Sequence, residues 1–158
     1  MDPAVTTNRL LDPKVIENFK VMADAGASFE LILFPHQLRE AADVLDTVPH
    51  LVTIINHRGM PSSVEEIKST EYWDGMKRLA VMSNVYMKIS FHGFTDKAWD
   101  QGDLIVAKSV ELIKLFTPKK CMFATNFPVD NAEMFGSWSM KRMIDVFNKI
   151  ANGFTAEE

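Results

Sequence analysis

Three of the four histidines, His36, His57 and His92, stand just behind apolar runs, in the stretches FPHQL, INHRGMP and KISFHG. A fourth run ends in ATNFPVD, which carries Asn126 and Asp130. An imidazole changes charge near neutral pH, so it can move a proton, polarise a carbonyl or ligate a metal. His36 and His57, converging from adjacent strands, can take zinc, manganese or another borderline metal, although a catalytic metal usually has three protein ligands or more. Asn56, Arg58, Lys88 and Ser90 stand at the same run ends. Each also has a plainer reading. His57 and His92 can tie down loops, and Lys88, between Met87 and Ile89, can lead its stem along a sheet face. Asp130 can cap a proline turn. Cys121 lies within an apolar run and reads as a small buried hydrophobe, not a nucleophile. His50 precedes a strand and is given no role. The chain has no Gly-rich phosphate loop, no G-x-S-x-G and no HExxH.

The runs that carry these residues alternate with helical patterns. Asp12-Pro13 reads as a cap and first-turn proline for a helix over 13–25, stopped by Gly26. Phe29 to Phe34 is a short apolar run closed by Pro35, read as a buried strand. Leu38, Ala41, Ala42 and Leu45 mark one helix face, and a strand over 51–56 follows. Ser62 with Glu65, or Ser63 with Glu66, would make a capping box, and helices to 69 and over 71–82 come next. Residues 85–90 form a third strand. Asp96 is read as the cap of a long helix ending before Pro118. Cys121 to Ala124 is the fourth strand, and a last helix covers 138–151. Apolar strands separated by helices argue for a parallel sheet with right-handed crossovers. In such folds ligands meet the carboxyl ends of the strands, where the polar residues stand.

The 158 residues suffice for one domain, 1–158, with a loose N-terminus at 1–9. A net charge of −4 gives no reason to expect nucleic acid or an anionic membrane as partner. One cysteine excludes an internal disulfide, and neither a leader nor a membrane-length apolar run is seen. A cytoplasmic protein with a small-molecule substrate is expected.

FELILFPHQLREAADVLDTVPHLVTIINHRGMP, GMKRLAVMSNVYMKIS and CMFATNFPVD, in this order and spacing, resemble the amidohydrolase-2 family. Its members are metal-dependent TIM-barrel hydrolases, among them 2-pyrone-4,6-dicarboxylate lactonases and fuconolactonases. The resemblance runs from about residue 10 to the C-terminus, and family members are about twice this length. It implies the last four of eight strands: four parallel strand–helix units, half of a (β/α)8 barrel. It places the family's fifth-strand histidine at His36 and its sixth-strand histidine at His57. The eighth-strand aspartate, which binds metal and handles the proton of the attacking water, falls on Asn126. An amide cannot take that proton, so Asn126 would orient water or substrate. The His-x-His pair of the family's first strand has no counterpart here. Arg58, Lys88 and Asp130 are the expected substrate-binding residues, the two cations for a carboxylate. The metal, zinc or manganese, is implied by the resemblance, with metal-free lactonases as the exception.

Half a barrel leaves two sheet edges open and its inner face uncovered. Exposing several hundred Å² of apolar inner face would cost on the order of 10 kcal/mol at about 25 cal/mol per Å². The expectation is therefore a homodimer or a complementing N-terminal half. The functional expectation is a hydrolase acting on a lactone or related carboxylated molecule through water at the strand ends. The alternatives are an inactive half-barrel serving as dimeric scaffold or binder, and an independent open-sheet protein.

Overall fold

A computed structural model describes residues 9–130, 139–155 and 157. The expected loose N-terminus falls largely on 1–8, outside the described residues. The chain runs α1 (Pro13–Asp24), β1 (Ser28–Leu31), α2 (Leu38–Asp46), β2 (Val52–Ile55), α3 (Val64–Lys68), α4 (Thr70–Ala80), β3 (Val85–Ile89), α5 (His92–Thr95), α6 (Leu104–Phe116), β4 (Cys121–Phe123) and α7 (Met140–Ala151). The four strands form one sheet in the order β1-β2-β3-β4, every pair parallel.

Local chemistry sets the boundaries. The Asp12 carboxylate accepts from the Lys14 amide at 2.9 Å, and Pro13 opens α1. Ser63 caps α3 by accepting from the Glu66 amide at 3.1 Å, while the Glu66 carboxylate reaches back to the Ser62 amide. Ser69 then caps α4 through the Tyr72 amide. Asp96 does not open the long helix as expected. It closes the short α5 and accepts from the Ala98 amide at 2.8 Å, and α6 starts only at Leu104.

Strand register separates the two sheet faces. Leu31, Thr53, Ile55, Val85, Met87 and Ile89 point one way and are buried in the helix-covered core. Period-2 alternation turns Glu30, Ile54, Tyr86, Lys88 and Met122 the other way. There Val52 stays 40% and Met122 36% exposed. So β1 is not the fully buried strand its sequence suggested. The open face is apolar at Val52, Ile54, Tyr86 and Met122, as expected, but it also carries an ion pair, the Lys88 ammonium meeting the Glu30 carboxylate at 2.6 Å. On the covered side α2 lies against α4 and α6 against α7, and Leu38, Met76, Phe116 and Ile150 are among the fully buried core residues. No helix among the described residues is long and apolar enough to cross a membrane.

Candidate active site

At the carboxyl ends of β1, β2 and β3, side chains from all three strands meet on the open side. The Glu30 carboxylate accepts from Lys88 Nζ at 2.6 Å and from Asn56 Nδ2 at 3.1 Å. These two bonds, the lysine's first, hold Glu30 below the usual carboxylate range. His57 follows directly, with Nδ1 2.9 Å from Ser90 Oγ. Its ring lies 4.9 Å from that of Phe91. Burial, then the charges of Lys88 and Arg58, lower the His57 pKa against the opposing pull of Glu30. The imidazole is therefore neutral near pH 7, and with Nδ1 held by Ser90 the free nitrogen is Nε2. Glu30, Asn56 and Ser90 join Lys88 and His57 here, and the sequence reading gave none of the three a role. Glu30 hid inside an apolar run, although counting by twos along the strands puts it on the Lys88 face.

His57 is presented by an unusual backbone. His57, Arg58, Gly59 and Met60 have φ of 56°, 57°, 68° and 43°, a left-handed turn in which only one residue is glycine. Such a conformation costs about 1–2 kcal/mol for each residue with a Cβ, so tertiary contacts must hold it. Gly59 packs tightly as well, since a Cβ there would stand 2.4 Å from Met76 Cε.

Arg58 is not where the sequence reading placed it. It is 0% exposed. Its Nε donates to the Ser90 carbonyl at 3.3 Å and its Nη2 to Thr95 Oγ1 at 3.1 Å. Burial lowers its pKa to about 10, which still leaves it charged at neutral pH. A guanidinium enclosed in this way does not present itself to a substrate carboxylate on the open face. His36 is exposed in the turn Pro35–Gln37, its ring stacked on Phe34 at 6.1 Å. His92 is fully buried, with rings of Trp99 and Phe147 each 6.0 Å away, and burial, then Arg58, keep it neutral. Burial pushes the Cys121 thiol up to about 12, which leaves it unreactive.

After β4, Asn126 sits at φ 55° and donates Nδ2 to Asp130 Oδ1 at 2.9 Å. Asp130 is buried, its Oδ2 without a partner among the described residues. Burial raises its pKa to about 6, against the lowering effect of the Asn126 bond. The bond uses one of the amide's two N–H donors and leaves Asn126 Oδ1 as an acceptor.

His57 has two properties of a metal ligand, a neutral ring and a second nitrogen held by a neighbour. Yet no group of three or more His, Cys, Asp or Glu among the described residues is placed to hold a metal ion. One prepared imidazole does not make a metal centre, so these residues alone do not fit the metal that the resemblance implies.

The sequence pattern of the amidohydrolase family matches residues 2–140. The uncharacterized protein y4mH of Sinorhizobium fredii is 34% identical over 147 residues, covering 92% of this chain and 47% of that protein. An amidohydrolase from Burkholderia multivorans, solved with HEPES bound, superposes with a TM-score of 0.80 at 14% identity, over 94% of this chain and 54% of that one. The same amidohydrolase with zinc bound gives 0.76 at 14% identity, over 94% and 53%. A probable 2-pyrone-4,6-dicarboxylic acid hydrolase from Acinetobacter baumannii, with citric acid bound, gives 0.70 at 16% identity, over 89% and 51%. The chain thus spans about half the length of the relatives it matches. Its four parallel strand–helix units are half of a barrel of this kind. The chain belongs to the amidohydrolase family.

Proposed function

We propose that the chain supplies the C-terminal half of an amidohydrolase-type site that opens a lactone or related carboxylated small molecule with water. The observation that carries this reading is a neutral His57, fixed by Ser90 at the mouth of the sheet beside the Glu30–Lys88–Asn56 network. In the tautomer whose Nδ1–H donates to Ser90 Oγ, His57 Nε2 carries the lone pair and can take the proton of an attacking water and return it to the departing ring oxygen. Asn126 Oδ1 can accept a hydrogen from that water and so orient it, with Asp130 fixing the amide. Lys88 is the cation for a substrate carboxylate, which must compete with Glu30 for it. The Acinetobacter neighbour supports a lactone as substrate. A zinc or manganese ion at His36 and His57 enters this reading only with further ligands from outside the described residues, and none of these steps needs it.

A second reading is an inactive half-barrel acting as a dimeric scaffold or small-molecule binder. It is favoured by the incomplete ligand set and by the outer edges of β1 and β4, which no strand among the described residues covers. The test is hydrolysis of 2-pyrone-4,6-dicarboxylate and simple lactones. On the hydrolase reading, His57→Ala lowers kcat/KM about 100-fold or more, the scale of a lost general base, with the circular dichroism unchanged. Rates no better than buffer, from a chain that sediments as a stable dimer, would favour the scaffold.

A further inference from the structure

Residues 57–60 hold a left-handed turn that their own side chains do not favour, so its shape is imposed from outside. Four bonds impose it. Tyr72 Oη, from α4, donates to the Arg58 carbonyl at 2.8 Å. The Arg58 side chain reaches the β3–α5 connection, with Nε on the Ser90 carbonyl and Nη2 on Thr95 Oγ1. Thr95 Oγ1 in turn donates to the Pro61 carbonyl at 2.7 Å, fixing the exit of the turn to the same residue. Ser90 is thus shared: its carbonyl takes Arg58 Nε, and its hydroxyl meets His57 Nδ1.

We propose that Arg58 and Tyr72 are positioning residues, which lock the 57–60 turn against Ser90 and so fix the rotation of the His57 ring, leaving Nε2 as its working nitrogen. The substrate meets neither of them. The clamp matters for chemistry only if His57 acts as proposed above, but the state of the ring can be read without turnover. Tyr72 is fully buried and Arg58 is 0% exposed, so both act from behind the turn. A neutral histidine held through one nitrogen adopts one tautomer, whereas a free one averages over two.

The test is the imidazole nitrogen spectrum of the 15N-histidine-labelled full chain at about pH 8, where free histidine is neutral. Exposed His50 serves as the averaging reference in the same tube. In the native chain His57 should show two well-separated nitrogen shifts. In Tyr72→Phe and in Arg58→Lys these should move toward the His50 values, with His50 unchanged. Ser90→Ala, which removes the hydroxyl alone, should do the same. If Arg58→Lys fails to fold, Tyr72→Phe decides. The proposal is overturned if folded Tyr72→Phe keeps the native His57 shifts, or if only Ser90→Ala releases the ring. A chain inert to lactones with a locked His57 would reject the hydrolase reading and leave the clamp standing. An active chain whose ring ignores Tyr72→Phe would do the reverse.

Discussion

Gly75→Ala should destabilise the fold by about 2 kcal/mol, although alanine is the better helix former by about 1 kcal/mol. Gly75 lies inside α4, where α2 crosses it. A Cβ there would stand 2.5 Å from Leu38 Cβ and 3.3 Å from Leu38 Cδ1. The first contact is with an atom rigidly joined to the backbone, so no rotamer change relieves it and the two helices must part. Overpacking of this kind typically costs about 1–3 kcal/mol and can exceed that where no side chain can move aside. Leu38→Ala in the same chain should not restore stability, because alanine keeps the offending Cβ. Urea unfolding of the single and double variants measures both effects. A Gly75→Ala chain as stable as the native one would show that α2 and α4 are not in contact here. The helix that moves also carries Tyr72, so the loss should extend to the turn under His57.

Asp130→Asn should do the opposite at alkaline pH, stabilising the chain by about 2–3 kcal/mol near pH 8 and leaving it almost unchanged near pH 4. The Asp130 pKa rises from an ordinary 3.8 to about 6 on folding, because burial disfavours its charge. Between those values the folded state holds a proton that the unfolded state has released. Stability attributable to this group is therefore complete below about pH 4 and is lost as pH rises through about 6. Asparagine carries no charge to bury and can still accept from Asn126 Nδ2. Paired denaturation curves at the two pH values check the sign. An Asp130→Asn chain weaker than native at pH 8 would mean that a partner stabilises the ionised carboxylate.

Much of the fold and part of the candidate site were legible in the spacing of the residues, and what was not has identifiable physical causes. The four strands announced themselves because each apolar run is short, rich in β-formers and closed by a turn residue. His57 and Asn126 were singled out because strand ends are the places where parallel sheets meet ligands. Arg58 was misjudged because a charged side chain is almost never fully enclosed, and nothing near it in the sequence names Thr95 or Ser90 as partners. The left-handed turn was equally hidden. His-Arg-Gly-Met has one glycine, and the bonds that hold the turn come from residues 72, 90 and 95. Asp96 misled because a cap and a helix stop use the same residue type, and α5 intervened. Glu30 was the avoidable miss, since strand periodicity places it on the same side of its strand as Lys88 is of β3, away from the apolar positions.

The central claim is that the open, strand-end side of the sheet receives the small molecule. It is tested most directly by following backbone and side-chain amide shifts of the 15N-labelled chain during titration with 2-pyrone-4,6-dicarboxylate. Saturable changes at Glu30, Asn56, His57, Lys88 and Asn126, weakened in Lys88→Met, are the expected result. Changes confined to the helix-covered side, or a spectrum indifferent to high ligand concentration, would contradict it.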